Sequence, residues 1–226
     1  MQIRRLGASG PEVSALALGS WHTYGRLSFE AGVALVRRAF ELGIDTFDVS
    51  YYRDQPHTEV LFGRILDVVG RPRGDYRLIE KLWFAGYPEK SLARQLDESL
   101  VRLGRERVEA ILSEHPRPGM SVEKLTEEVA DLVASGRAAC WGAMNWSIDD
   151  IRRGHEHADR LGLPRPQVAE LKYNVARSGV VDGERFRKLC AELGITLIAS
   201  DVMEGGVLAG NLQPGRKIGI DTGGIR

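Results

Sequence analysis

Short apolar runs that stop abruptly on a polar or charged residue recur along this chain, separated by longer stretches with helical periodicity. The clearest runs from Ile44 to Phe47, halts at Asp48, and is followed by two phenols, Tyr51 and Tyr52. RLIEK stops at Lys81, AILSEH at His115, WGAMN at Asn145, QVAELK at Glu170 and Lys172, and TLIASD at Asp201. Brief apolar runs of this kind, bounded by turn signals, fit buried strands. Strands that deliver chemistry at their carboxyl ends belong to parallel barrels and open α/β sheets, so parallel packing predicts that these groups share one face.

The intervening stretches read as helices. Ser28 is placed to cap one whose apolar positions Val33, Val36 and Phe40 recur at helical spacing, and it stops at Gly43. Further helical stretches stop at Gly70, Gly104, Gly136, Gly162 and Gly194, where a glycine accepts the left-handed backbone that often follows a last helical turn. Ser121 and Ser147 are cap candidates, the latter with Asp150 at the capping-box position, and Pro88 suits a first turn. Each glycine is followed closely by an apolar run, and parallel strands joined in this way need crossover helices. Ahead of the alternation, Gln2–Leu6 and Pro11–Val13 flank Gly7, Ser9 and Gly10 as a small hairpin, and a strand from Val13 to Leu18 enters the loop GSWHTYG.

That loop has neither a GxGxxG fingerprint nor a Walker lysine, so an open nucleotide-binding sheet is disfavoured. Polar groups ending so many successive strands fit a closed mouth better. The expectation is an α/β fold, a (β/α)8 TIM-type barrel incomplete at the carboxyl end, with about seven strands and an N-terminal hairpin. A complete barrel has eight strands and about 250 residues.

Composition narrows the function classes. With 226 residues and 43% hydrophobic content, the chain can bury a full core, and one domain over residues 1–226 is expected. Basic and acidic residues number 31 each, so nothing global draws the protein to nucleic acid or an anionic membrane, and a small-molecule partner is favoured. MQIRRLGASGPEV has no apolar signal core and no run approaches the ~20 apolar residues of a membrane span, which predicts a cytoplasmic protein. Cys140 and Cys190 lack metal-ligand spacing and suit reduced core thiols, so no metal is expected.

An acid, a phenol, an amine and an imidazole thus converge on the predicted mouth: Asp48, Tyr51 or Tyr52, Lys81 and His115. Each has a plainer explanation. Asp48 could cap a helix or accept strand-end amides, Lys81 could be solvated, and His115 before Pro116 could be a hydrogen-bonded loop histidine. His155 and His157 lie in a polar helical stretch, where a spacing of two puts their imidazoles on different faces.

FDVSYY, the strands ending at Lys81 and His115, WGAMNW, LIASDVMEGGVLAG and the opening LGASGPEVSALALGSW, in this order, resemble the landmarks of the aldo-keto reductases. The similarity is greatest to the branch containing potassium-channel β-subunits and aldose dehydrogenases, and it covers essentially the whole chain. It implies an NADPH-linked carbonyl reductase or alcohol dehydrogenase whose catalytic tetrad is Asp48, Tyr52 (or Tyr51), Lys81 and His115. In that scheme tyrosine protonates the carbonyl, lysine and aspartate ease its ionisation, and histidine orients the substrate. The resemblance places the cofactor against Gly19, Trp21, Asn145, Glu170, Asp201, Met203 and Gly206.

Departures accompany the match. Glu170 stands where the family has a glutamine against the nicotinamide, Met144 replaces a serine, and Asp201 and Glu204 add carboxylates to the pyrophosphate-facing stretch, where they would repel phosphate. The chain also stops at GIDTGGIR, before the family's last strand and its 2′-phosphate grip. The expectations are weak NADPH binding and, if the chain is naturally this short rather than a fragment of a longer protein, open strand edges covered either by a Gly205–Arg226 tail extending across the gap or by a second copy in a homo-oligomer. A cofactor-independent lyase, isomerase or cyclase using the same acid–base groups, or a binding protein without turnover, are the alternatives.

Overall fold

The computed structural model describes residues 1–84 and 86–210. Strands β1 (Ile3–Arg5) and β2 (Glu12–Ser14) pair antiparallel as the expected hairpin. Seven strands follow in one sheet and in chain order: β3 (Ala17–Gly19), β4 (Thr46–Asp48), β5 (Arg77–Leu82), β6 (Val108–Glu114), β7 (Ala138–Met144), β8 (Val168–Lys172) and β9 (Thr196–Ser200). Every neighbouring pair is parallel. Six α-helices connect them: α1 (Phe29–Glu41), α2 (Thr58–Val69), α3 (Leu92–Leu103), α4 (Val122–Ala134), α5 (Ile148–Leu161) and α6 (Glu184–Leu193). The sheet curls into a TIM-like half-barrel with the helices outside it.

The helix boundaries follow local chemistry. The hydroxyls of Ser28, Ser91, Ser121 and Ser147 each accept the backbone N–H three residues on, at 3.1–3.2 Å. Gly43, Gly70, Gly104, Gly136, Gly162 and Gly194 all have φ between +65° and +81°. A side chain there would cost roughly 1–2 kcal/mol. Pro88 does not open a helix: α3 starts at Leu92 because Ser91 supplies the cap, and Pro88 stays in the preceding loop. The run Val13–Leu18 is also not one strand. The Ser14 hydroxyl donates to the Leu16 carbonyl at 2.7 Å and the Ser14 N–H donates to Thr46 Oγ1, so the chain bends between β2 and β3.

Strand alternation splits the apolar residues into two layers. Phe47, Leu78, Ile111 and Trp141 face the helices and pack with Phe62, Ile65 and Leu96. Ile79, Ala110, Leu112, Cys140, Met144 and Val168 face the barrel interior, where Leu6 and Val13 of the hairpin join them. Burying each of the larger of these side chains, the leucines, isoleucines, valines, methionine and phenylalanines, stabilises the fold by about 1.5–3 kcal/mol. Gly7 N–H donates to Thr196 Oγ1 at 2.9 Å and Ser9 N–H to Gln167 Oε1 at 3.1 Å, so the hairpin plugs the amino-terminal end of the sheet. The carboxyl ends remain available for polar groups.

Cys140 is buried, Cys190 is half-buried, and neither is in a disulfide. Burial, with Glu109 nearby, pushes the Cys140 thiol up to about 12, as suits an unreactive core thiol. The expected gap-spanning tail lies, from residue 211 onward, outside the described residues.

Candidate active site

Adjacent residues on a strand point to opposite faces, and β5 uses this to place charge on both. Lys81 faces inward. Its Nζ lies 2.8 Å from Asp48 Oδ2 at the end of β4 and 3.1 Å from Glu170 Oε1 on β8. Burial works against the ammonium, but Asp48 and Glu170 outweigh it and hold the Lys81 pKa well above the ordinary value. Glu170 is almost completely buried; burial pushes its carboxyl up to about 7, against the pull of Lys81 and with a push from Asp48. One oxygen of each acid, Asp48 Oδ1 and Glu170 Oε2, is buried with no hydrogen-bond partner among the described residues.

Tyr52 completes this cluster. Its buried hydroxyl is 3.3 Å from Ser20 Oγ and its ring centroid is 6.4 Å from that of Trp83. Burial raises the phenol pKa, Asp48 adds to the rise, and the nearby Lys81 opposes it. Tyr51 lies elsewhere, half-buried beneath the Arg102 guanidinium at 5.0 Å from its ring centroid. The structure therefore brings Asp48, Tyr52, Lys81 and Glu170 together and leaves Tyr51 outside.

His115 is not brought in. It follows the last residue of β6 and is exposed, whereas Glu114 shares the inward face with Ala110 and Leu112. The Glu114 carboxylate accepts the Phe84 N–H at 2.9 Å and lies 3.6 Å from Arg117. Trp146 fixes the same strand end by donating from its indole to the Ser113 and Glu114 carbonyls.

The expected cofactor residues ring the mouth unevenly. Gly19 is opposite Asp48 in the β3–β4 register, with open space where a side chain would project. Asn145 has φ +59° and its N–H donates to the Glu170 carbonyl at 2.9 Å, which joins the ends of β7 and β8. Trp21 is exposed at 41%, with its ring 4.5 Å from His22. Beyond β9, Asp201 lies 3.9 Å from Lys172, Met203 is exposed, and Gly206 has φ +94°.

Glu204 is not a bare charge in that stretch. Arg177 Nε is 2.8 Å from both its oxygens, Asn174 Nδ2 donates to it at 2.7 Å, and its pKa is lowered, chiefly by Arg177. Its repulsion of phosphate is thereby neutralised, but the neighbouring cation is engaged.

Sequence patterns missed Ser20, Trp83, Glu114 and Arg177. Counting alternate residues along β6 from Leu112 would have found Glu114, and Ser20 follows β3 directly. The Arg177–Glu204 pair joins different loops and carries no local signal.

On the outer face of β5, Glu80 and Glu59 of α2 are both fully buried beside Arg102 of α3. Arg102 bonds Glu59 and Ser99, and the Lys81 N–H donates to Glu80 Oε1 at 3.0 Å. Burial raises the Glu80 pKa well above the ordinary value and Glu59 adds to it. A surface groove of about 440 Å³ between α3 and α4, lined by Tyr87, Leu92, Glu128 and Arg137, contains none of these groups.

The family model for the Aldo/keto reductase family matches residues 15–221. The chain belongs to this family. It is 30% identical over 182 residues to a protein named as a voltage-gated potassium channel subunit beta from Schizosaccharomyces pombe, covering 76% of this chain and 53% of that one. A protein named "Probable voltage-gated potassium channel subunit beta" from Oryza sativa subsp. japonica is 29% identical over 223 residues, covering 95% of this chain and 68% of that one. The chain thus spans about half the length of the first relative. A thermostable aldo-keto reductase crystallised with the inhibitor epalrestat superposes with TM-score 0.75 at 27% identity, covering 88% of this chain and 72% of that one.

Proposed function

We propose that this aldo/keto reductase family member interconverts a carbonyl and an alcohol on a small molecule, with NADPH as its hydride partner. The observation that carries this is the Lys81–Asp48 ion pair set beside the Tyr52 hydroxyl at the open end of the strands. The Tyr52 phenol donates its proton to the carbonyl oxygen in reduction and accepts it in oxidation. Lys81 favours the phenolate by its charge, and Asp48 holds the ammonium in place. Trp83 and Glu114 line the substrate side in this scheme.

The described residues fit a nicotinamide at the mouth. The unpartnered Glu170 Oε2 is a buried acceptor suited to a carboxamide N–H, and Asn145 adjoins it. When bound, the reduced ring supplies the hydride. The phosphate end fits less well, because Arg177 and Lys172 already face Glu204 and Asp201. A charged hydrogen bond contributes roughly 1.5–3 kcal/mol, so losing two to internal competition weakens binding by powers of ten. Calorimetry with NADPH is expected to give a dissociation constant weaker than micromolar. Micromolar or tighter binding would refute the weak-cofactor claim. No heat at millimolar NADPH, with turnover that still depends on Tyr52, would favour a cofactor-independent lyase, isomerase or cyclase, a reading supported by the extra titrating carboxyl of Glu170.

A single domain in the cytoplasm and assembly into a homo-oligomer belong to the same proposal. Balanced charge gives no attraction to nucleic acid, and no helix among the described residues is long and apolar enough to cross a membrane. Among those residues, β3 and β9 each pair on one side only.

A further inference from the structure

We infer that Glu170 makes the mouth select the oxidised, positively charged form of a nicotinamide dinucleotide over the reduced, neutral form. The inference rests on the proposed function, since a hydride partner must bind beside Lys81 for Glu170 to sense its charge.

Charge counting supports it. Glu170 Oε1 is 3.1 Å from Lys81 Nζ and Asp48 Oδ2 is 2.8 Å from the same atom, so one ammonium serves two carboxylates. With both acids ionised, one negative charge is left over. It is shared by Glu170, which is buried, and Asp48, whose side chain is 20% exposed, so solvent screens it only in part. The groups facing Glu170 are Lys81 from β5 and Asp48 from β4, with the Tyr52 phenol beside them. β7 and β9 present Met144 and Ile198 opposite it, neither of which titrates. Farther along the mouth, Lys172 and Asp201 face each other at 3.9 Å.

A ring that exchanges hydride at the Tyr52–Lys81 centre lies close enough to feel this charge. The oxidised ring carries a positive charge and the reduced ring carries none, so only the oxidised form gains. A unit charge several ångströms away in a partly screened site changes a binding constant by about tenfold or more. Burial places the Glu170 carboxyl at about 7, so the selectivity grows as pH rises through neutrality. Tighter binding of the oxidised form also makes the bound reduced ring a stronger hydride donor.

The test is to measure dissociation constants of NADP⁺ and NADPH at pH 6 and pH 8, on the wild-type chain and on Glu170→Gln, by calorimetry or quenching of protein fluorescence. Both forms carry the same phosphates, so phosphate titration cancels in the ratio of the two constants. The expected result is a wild-type preference for NADP⁺ that increases about tenfold from pH 6 to pH 8 and is flat in Glu170→Gln. A wild-type ratio unchanged with pH, or a pH dependence that survives in Glu170→Gln, overturns the inference and leaves the oxidoreductase proposal standing. Binding of neither form overturns both. If Glu170→Gln does not fold, the wild-type ratio alone decides, and a ratio independent of pH overturns the inference.

Discussion

Consecutive residues of β5 serve two charge clusters on opposite sides of the sheet. Lys81 faces the barrel interior with Asp48 and Glu170, and Glu80 faces the helices with Glu59 and Arg102. Both clusters set two acids with little or no exposure against one cation, Glu98 reaching Arg102 from the surface at 3.6 Å, and in both each of these two acids keeps one buried oxygen without a hydrogen-bond partner among the described residues. Their surroundings differ. The side chains of Asp48 and Lys81 are 20% and 10% exposed, and Tyr52 adjoins them. Glu59 and Glu80 are sealed beneath α2 and α3 at 0%. The same charge arithmetic therefore has different outlets. In the proposed chemistry the inner cluster passes a proton to a ligand, whereas the outer one, closed off from solvent, exchanges charge only against fold stability.

Removing the cation from each cluster separates these roles. Lys81→Met is expected to lower kcat by about 10²–10⁴, the range of general acid–base assistance, with the fold retained. Arg102→Met should instead destabilise the chain by about 3–5 kcal/mol, because it strands Glu59 in a buried site, while turnover per folded molecule stays near wild type. Denaturant unfolding and steady-state kinetics on both variants check this. Equal activity losses in the two would erase the distinction.

The next effect is confined to stability and its pH dependence. The folded pKa of Glu80 is raised, chiefly by burial, so the folded state holds that proton above the pH at which the unfolded chain releases it. Stability from this group is present at low pH and is lost as pH rises from the unfolded carboxyl value through the folded one. Glu80→Gln is therefore expected to gain stability relative to wild type as pH increases, by at most ~1.4 kcal/mol per pH unit. Urea midpoints at pH 5 and pH 8 measure it. A stability difference that does not change with pH would mean that Glu80 is ionised in the folded protein throughout.

The smallest effect concerns the edge of the inner cluster. His115→Ala is expected to change kcat/KM by less than about twofold, because the side chain is exposed and β6 turns Glu114 inward instead. Glu114→Gln should shift KM more than His115→Ala does. A large loss in His115→Ala alone would return the imidazole to the site.

Much of this architecture is legible in the sequence. Helix-ending glycines, serine caps and apolar runs halted by polar residues are local signals, and they yield the seven-stranded sheet with its hairpin. Asp48 and Lys81 are legible because each ends or nearly ends its strand. Choosing between Glu114 and His115 needs the facing of one strand, and a slip of one residue reverses it. Pro88 misleads because a proline fits a loop as well as a first turn. The Glu59–Glu80–Arg102 cluster and the Arg177–Glu204 pair join separate elements, so neither leaves a pattern in any one segment.

The proposed chemistry is tested most directly by following hydride. The chain is incubated with NADPH carrying deuterium at the transferable position and a panel of aldehydes and ketones, and the alcohols are analysed by mass spectrometry. The wild-type chain should place one deuterium on the former carbonyl carbon, and Tyr52→Phe, folded and at the same concentration, should slow this by at least about 10²-fold. Absence of deuterium from every product of the wild-type chain, or undiminished transfer by Tyr52→Phe, would contradict it.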